Sequence, residues 1–128
     1  MKMLRLDHVN VKTTNLEEMV RFYEDILGLK SGPRPDFPFP GAWMYIDEHP
    51  IVHLVSVEEE CKAIDPKIEH FAIKATGLPG LILKLTTAGI RHSIDPVPGA
   101  PVVQVNLADS DGNHIHIDFH SDELETMG

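Results

Sequence analysis

The chain has 128 residues, 42% of them hydrophobic, and a formal net charge of −9. This length fits one domain, or two small modules that share a core. The negative charge argues against nucleic acid or an anionic membrane as a partner, because both are bound by clustered lysine and arginine. The single cysteine excludes a disulfide framework. We expect a cytoplasmic protein, because MKMLRLDHVNV lacks the apolar run of a signal peptide and no segment has the length of a membrane span.

The first half of the chain predicts a strand, a helix and two further strands. Apolar and polar residues alternate from Leu4 to Lys12, which is the strand period. Asn15 is a candidate N-cap for the apolar stripe that follows at helical spacing, and Glu18 three residues on makes the pattern close to a capping box. Gly28 is a candidate helix end. The predicted elements are a helix over 16–27, a proline-rich loop over 31–41, strands over 42–47 and 51–57, and a turn at 48–50.

The second half repeats this order, which predicts an internal duplication. Thr76 is a candidate N-cap, Gly89 a candidate helix end, and the acidic tail SDELETMG is expected to fray. The predicted elements are strands over 68–74, 102–107 and 114–119, a helix over 78–88, a proline-rich connection over 94–101 and a turn at 109–113. We therefore predict a single domain, 1–128, made of two repeated modules at about 4–57 and 67–120.

Each strand of clear parity has one aliphatic face and one face that carries His, Asn, Gln or Lys. A helix covering the aliphatic face and a curved sheet enclosing a polar cleft satisfy this pattern. The parity is ambiguous only in 42–47, where either Trp43 and Tyr45 or Met44 and Ile46 could face the cleft.

Histidines recur at matching places in the two halves. His8 lies in LDHVNVKTTNL and His70 in IEHFAIKATGL, while His53 lies in DEHPIVHLV and His116 in DSDGNHIHID, each pair about sixty residues apart. Neutral imidazole binds divalent transition metals, so the four rings predict one metal site if the copies pack about a pseudo-two-fold axis. We expect surface or structural roles for the remaining four: His49, His92, His114 and His120.

Other residues near these histidines have more than one possible role. Asp118 shares a face with His116 and is either a base, a partner of that ring or a solvated strand-end residue. Lys12 and Lys74 either bind an anionic substrate or are ordinary strand-end lysines. Phe37, Phe39 and Arg34 form either a substrate lid or a stiff connection.

At these residues the chain resembles the vicinal oxygen chelate superfamily, which includes glyoxalase I, extradiol dioxygenases and bleomycin resistance proteins. The similar stretches are LDHVNVKTTNLEEMVRFYEDILGL, AWMYI, VHLVSV, EHFAIKA and DSDGNHIHIDF. The resemblance implies an α+β fold in which paired βαβββ modules form an open, curved, mainly antiparallel barrel with the helices outside. It also implies that His8, His53, His70 and His116 hold one divalent metal, with zinc expected as isolated and iron, nickel or manganese as alternatives.

The resemblance implies a metal-dependent enzyme that acts on a small molecule through two adjacent oxygens. A glyoxalase-type lyase or isomerase is favoured, and an iron-dependent dioxygenase and a non-catalytic, antibiotic-type binding protein remain alternatives. Many family members have glutamate at the position of His116, so this chain would need another base: Asp118, a hydroxide on the ion, or a displaced histidine. We expect a homodimer, with the modules paired either within one chain or between two.

Overall fold

The order of helices and strands repeats along the chain. The computed structural model describes residues 1–127, which divide into two compact units, Met1–Lys62 and from Ala63 onward. The first unit contains β1 (Val9–Thr13), α1 (Leu16–Arg21), a π-helical turn (Phe22–Ile26), β2 (Lys30–Gly32), β3 (Gly41–Ile46) and β4 (His49–Ser56). The second contains β5 (Phe71–Lys74), α2 (Leu78–Ala88), β6 (His92–Pro96), β7 (Val102–Ala108), β8 (His114–His120) and α3 (Asp122–Thr126). The α+β class and the duplicated βαβββ order are therefore confirmed.

Each unit has one four-stranded sheet of the same topology. The strand order is β1-β4-β3-β2 in the first sheet and β5-β8-β7-β6 in the second. The first strand of each unit pairs in parallel with the last, and the other pairs are antiparallel. The sheets are thus mixed and mainly antiparallel, as predicted.

The first unit buries one face of its sheet under α1 and the π-helical turn. Met19 of α1 and Tyr23 of the π-helical turn are fully buried, as are Met44, Val52 and Leu54 of β3 and β4, and α1 packs against both of these strands. Alternation along β4 therefore places Val52 and Leu54 on the core face and His53 on the opposite face. The apolar side of α1 covers one face of the sheet, so the histidine of β4 lies on the face that the helix leaves uncovered.

The second unit is built in the same way. Leu78 and Leu85 of α2 are fully buried, as are Val103, Val105 and Ile115 of the sheet. Gly77, not Thr76, precedes the helix, with φ of 94°, and the Glu123 carboxylate accepts hydrogen bonds from the backbone N–H groups of Gly77 and Leu78, both at 2.9 Å. Residues 122–126 of the tail predicted to fray instead form α3, and α3 caps the first turn of α2. Gly128, the last residue of that tail, lies outside the described residues.

Several predicted boundaries are wrong, each for a local reason. The first strand begins at Val9 rather than Leu4, because only 9–13 pairs with β4, and the strand of the second unit likewise begins at Phe71 rather than Ile68. The two connections predicted as loops begin in edge strands, β2 and β6. In β2, a Cβ atom at Gly32 would lie 2.7 Å from Cε1 of Tyr45, so the ring of Tyr45 occupies the space that a side chain would need at this position.

Other departures concern turns and caps. The turn predicted at 48–50 is tighter, because His49 and Pro50 already pair with Ile46 and Tyr45. The helix predicted over 16–27 widens to a π-helical turn after Arg21. Within residues 1–127 the Asn15 side chain makes no capping hydrogen bond; its backbone carbonyl accepts one from Met19 instead.

Among the residues that the structure describes, no helix is both long and apolar enough to cross a membrane.

Candidate metal site

The first unit brings His8 and His53 together. His53 lies in the middle of β4, with Asn10 of β1 on one side and Trp43 of β3 on the other, and His8 immediately precedes β1. Their rings are stacked, with centroids 3.9 Å apart and planes inclined by 9°. His53 is 8% exposed, whereas 40% of the His8 side chain is accessible. The pair thus combines one buried and one accessible imidazole.

A hydrogen bond to one ring nitrogen orients each of these imidazoles. Nδ1 of His8 bonds to Oδ2 of Asp7 at 2.7 Å, and Nε2 of His53 bonds to the Pro50 carbonyl at 3.0 Å. Both acceptors require the proton to be on the bonded nitrogen, so the lone pair of a neutral ring lies on Nε2 of His8 and on Nδ1 of His53. An acceptor behind a histidine is the usual support for a metal ligand.

Electrostatics favour a neutral His53 and an ionised Asp7. Burial lowers the pKa of His53, and the nearby positive charge of His8 lowers it further, although the Pro50 hydrogen bond opposes both. The hydrogen bond from His8 lowers the pKa of Asp7. His53 therefore stays in the form that can bind a metal to lower pH than an ordinary histidine.

The structure decides the ambiguous parity of β3. Met44 is fully buried in the core, and Trp43 stacks on His53 with ring centroids 4.0 Å apart and planes inclined by 13°. A register shift between Met44 and Tyr45 accounts for the slip in the repeat at this point. Trp43 therefore lies on the histidine-bearing face.

The proline-rich loop adds further aromatic surface next to Trp43. Phe37 and Phe39 are stacked with centroids 5.1 Å apart, and Phe37 lies 6.5 Å from Trp43. The guanidinium carbon of Arg34 lies 5.0 Å from the Phe37 centroid, and Nη2 of Arg34 donates to the Phe39 carbonyl. Both phenylalanines are 40% exposed. These three loop residues hold one another in place and continue the aromatic surface from the histidines.

The second unit brings His70 and His116 together, and it adds His114. His70 precedes β5, and His114 and His116 lie on the same side of β8. The His70 centroid lies 4.4 Å from that of His116 and 5.0 Å from that of His114. His116 is 6% exposed, while His70 is accessible, so the unit repeats the buried and accessible pair of the first.

Carboxylates support the histidines of the second unit. Nδ1 of His116 bonds to Oδ1 of Asp118 at 2.6 Å, and Nδ1 of His70 bonds to Oε2 of Glu69 at 3.2 Å. Glu69 also bonds to Nδ1 of His114, and this bond more than the one from His70 lowers the pKa of Glu69. Asp7 and Glu69 each precede the accessible histidine of their unit, so the supporting carboxylate is part of the repeat.

Sequence reasoning missed Glu69 and His114. Glu69, His70 and His114 each offer a ligand atom, and these atoms lie within 4.8 Å of one another. Two signals pointed to them: His114 has the same strand parity as His116, and Glu69 occupies the repeat position of Asp7. The surface or structural role expected for His114 stays a prediction, and the structure adds that its ring contacts both His70 and Glu69.

The structure also places the other residues considered from the sequence, among them Lys74, which pairs with Asp118 across β5 and β8. Lys12 and Lys74 are exposed at the ends of their strands. The ring of His49 bonds to Arg5, that of His92 to the Ile90 carbonyl, and that of His120 lies 3.3 Å from Asp122. These three have local structural partners, as expected.

The donor chemistry fits a divalent transition ion. Within each unit the two repeat-related histidines are in ring contact, and each has one nitrogen held by an acceptor and one directed elsewhere. Zinc, nickel, cobalt and iron accept such nitrogen donors, particularly when a carboxylate or carbonyl fixes the tautomer. That all four rings serve one ion stays a prediction.

A duplicated βαβββ fold with paired histidines describes an α+β protein with candidate metal ligands, and comparison with known proteins identifies the family. The family model of the Glyoxalase/Bleomycin resistance protein/Dioxygenase superfamily matches residues 5–117. The chain belongs to this superfamily. A protein of Arabidopsis thaliana named glyoxylase I 4 is 31% identical over 121 residues, covering 88% of this chain and 68% of that protein.

Solved structures show the same fold. A glyoxalase family protein from Bacillus anthracis is 22% identical with a TM-score of 0.77, covering 94% of this chain and 98% of its own. The trypanothione-dependent glyoxalase I of Leishmania major is 15% identical with a TM-score of 0.69, covering 98% of this chain and 93% of its own. At these identities the structural likeness concerns the fold alone.

Proposed function

We propose that the protein is a metal-dependent lyase or isomerase of glyoxalase type, acting on a small molecule that presents two adjacent oxygens. The observation that carries this proposal is the repeated pair of histidines, one buried and one accessible, each ring supported at one nitrogen by a carboxylate or a carbonyl. Superfamily membership and the relative named glyoxylase I 4 support the same reaction class.

In this proposal His8, His53, His70 and His116 hold one divalent ion. When bound, such an ion would polarise a carbonyl oxygen and make the neighbouring C–H bond more acidic. Zinc is the expected ion as isolated, with iron, nickel and manganese as alternatives.

Asp118 is the proposed proton acceptor. Its oxygen Oδ1 holds the Nδ1 proton of His116, and its other oxygen, Oδ2, is the one proposed to accept the proton of the substrate. A carboxylate with one oxygen hydrogen-bonded retains acceptor capacity on the other. The same bond also fixes the ring of His116, so Asp118 has both a positioning role and a possible acid–base role that experiment can separate.

The aromatic surface of the first unit is the proposed contact for the rest of the substrate. Trp43 stacks on His53, and the exposed Phe37 lies next to it, so a planar or apolar group near the ion would contact these rings. Binding pockets of small molecules are commonly lined in this way, with few polar groups fixing the orientation.

We also propose a homodimer. Leu6 and Ile68 stand two residues before His8 and His70 and are 81% and 83% exposed. Exposed apolar side chains at equivalent positions of a repeat indicate an apolar surface whose burial in a protein–protein interface is favourable. Light scattering over a dilution series tests this: a persistent dimer is expected, and a monomer at all concentrations contradicts it.

Hydrogen exchange tests the reaction class. Metal-reconstituted protein is incubated in D₂O with a panel of hydroxy- and keto-carbonyl compounds, and loss of the C–H signal next to the carbonyl is followed by NMR. The proposal expects exchange that requires the metal, that His116→Ala abolishes and that His120→Ala leaves intact. If the Asp118→Asn variant keeps its full metal content but shows no exchange, Asp118 is the proton acceptor. If exchange is unchanged in this variant, Asp118 is not the proton acceptor.

The alternatives have distinct signatures. Oxygen uptake by the iron-loaded protein without exchange would favour the dioxygenase, and this candidate has one specific observation behind it: Glu69, His70 and His114 form a set of two histidines and one carboxylate. Tight ligand binding with neither oxygen uptake nor exchange, with or without metal, would favour a binding protein.

A further inference from the structure

The second unit contains a cluster of ligand atoms that the four-histidine proposal does not use. One carboxylate oxygen of Glu69 bonds to Nδ1 of His70 at 3.2 Å and to Nδ1 of His114. The three side chains are accessible: 63% of Glu69, 41% of His70 and 38% of His114. An ion could therefore reach them from solvent.

A chain of hydrogen bonds fixes the orientation of His114. Ser93 donates to Oδ2 of Asp95 at 2.5 Å, and Nδ2 of Asn106 donates to the same oxygen at 2.9 Å. Because the amide nitrogen of Asn106 is committed to Asp95, its oxygen Oδ1 faces Nε2 of His114, at 2.9 Å. An amide oxygen only accepts, so the proton of a neutral His114 must lie on Nε2.

This orientation directs the lone pair of a neutral His114 at Glu69. With the proton on Nε2, Nδ1 carries the lone pair, and Nδ1 is the atom that contacts the Glu69 oxygen. Two acceptors that face each other are repulsive unless a proton or a cation lies between them. A divalent ion bound to both would satisfy the imidazole and the carboxylate at once.

The spacing also suits an ion. Zinc–nitrogen and zinc–oxygen bonds of about 2.1 Å place neighbouring ligand atoms about 3.0–3.4 Å apart. The 3.2 Å between Glu69 Oε2 and His70 Nδ1 lies in this range, and all three ligand atoms lie within 4.8 Å. Nδ1 of His114 lies closer to Glu69 than this range and would have to move apart to admit an ion. Small rotations of exposed side chains would complete the site.

We infer that Glu69, His70 and His114 form a second metal site, selective for divalent first-row transition ions, which the second unit fills without the histidines of the first. It uses Nδ1 of His70, the nitrogen that bonds to Glu69 in this structure, so the proton of a neutral ring would move to Nε2. This site and the four-histidine site would therefore compete for the ring of His70. The inference shares only His70 with the proposed metal site of the reaction, because His8, His53 and His116 take no part in it, and the variants below separate the two.

Cobalt binding to a chain with the first pair removed tests the inference. In full-length, tag-free protein, His8→Gln and His53→Gln are combined, and bound Co²⁺ is measured by equilibrium dialysis and by its visible absorption. One ion per chain is expected. Adding Glu69→Gln or His114→Gln should weaken binding at least tenfold, whereas adding His116→Gln or the control Glu125→Gln should leave it unchanged.

Each outcome decides the matter. No Co²⁺ on the double variant, with its circular dichroism intact, overturns the second site without touching the four-histidine proposal. Binding that survives Glu69→Gln but is lost with His116→Gln also overturns it, since His70 and His116 would then hold the ion. If the double variant does not fold, the single variants Glu69→Gln and Glu125→Gln of the natural chain are compared instead. The inference is overturned if these two variants bind Co²⁺ with the same stoichiometry and the same affinity.

Discussion

The imidazoles of His8 and His53 lie face to face, with centroids 3.9 Å apart and planes inclined by 9°. Trp43 is stacked on His53 at 4.0 Å, and since two rings cannot share one face at such distances, His53 lies between His8 and Trp43. The lone pair of an imidazole lies in the ring plane, so parallel stacked rings direct their lone pairs along separate lines. Joint binding of one ion by His8 and His53 therefore requires one of the rings to turn.

This rotation gives the first prediction. Titration of the metal-free protein with Zn²⁺ should change the fluorescence of Trp43, because a turn of His53 alters the ring stacked on the indole. Trp43 is the single tryptophan of the chain, so the signal has one source. His53→Ala should abolish the change and His49→Ala should preserve it. Zinc binding measured by calorimetry with no change in fluorescence would mean that the stack stays intact.

The second prediction concerns the support of His8 by Asp7. Asp7→Asn removes the carboxylate that accepts from Nδ1, at 2.7 Å, and so weakens control of the tautomer. Replacing such a supporting group commonly lowers metal affinity about 10–100-fold. We expect a loss in that range in a competition titration with a chromophoric chelator. Asp25→Asn, an exposed carboxylate on the π-helical turn, is the control, and equal affinity of the two variants would contradict the positioning role.

The third prediction concerns the cap that α3 provides for α2. Glu123→Ala removes the acceptor of the Gly77 and Leu78 N–H groups and should lower the free energy of unfolding by about 1 kcal/mol, the usual cost of losing a helix cap. Chemical denaturation measures the change, with the exposed Glu125→Ala as the matched control. If both variants unfold at the same denaturant concentration, the tail does not stabilise α2.

The fourth prediction concerns pH. Burial holds the pKa of His53 below its ordinary value, so below about pH 6.5 the unfolded chain binds a proton at this residue more readily than the folded chain does. Stability of the metal-free protein should therefore fall as the pH drops below this value. His53→Gln should reduce the fall between pH 7.5 and 5.5 in urea unfolding. Parallel pH dependence of the natural chain and the variant would exclude this origin.

Much of the fold was predictable because burial alone fixes it. Alternation in β4 and β8 and the helical stripes of α1 and α2 assign each apolar residue to a face. The same pattern occurs in both halves of the chain, so each half supports the prediction made from the other. Strand ends were not predictable, since alternation at Leu4 and Leu6 continues where no partner strand pairs with it. β2 and β6 were missed because edge strands tolerate the glycine and proline that ordinarily indicate loops.

The site was predictable in part. Matching flanks marked His8, His53, His70 and His116, and each unit places its own two in contact. The supporting contacts were not readable from sequence, because the bond from His53 to Pro50 and that from His114 to Glu69 depend on tertiary geometry. The cluster of Glu69 and His114 combines a loop residue with a strand residue forty-five positions away, which no local pattern reports.

Metal content is the most direct test of the central claim, that four repeat-related histidines hold a divalent ion. Protein purified without a chelator or a histidine tag is analysed by inductively coupled plasma mass spectrometry, alongside its His8→Ala, His53→Ala, His70→Ala and His116→Ala variants. The controls are His49→Ala and His92→Ala. We predict a divalent transition ion, most abundantly zinc, whose occupancy falls in each of the four variants and is unchanged in both controls. Equal occupancy in all six variants would contradict the claim.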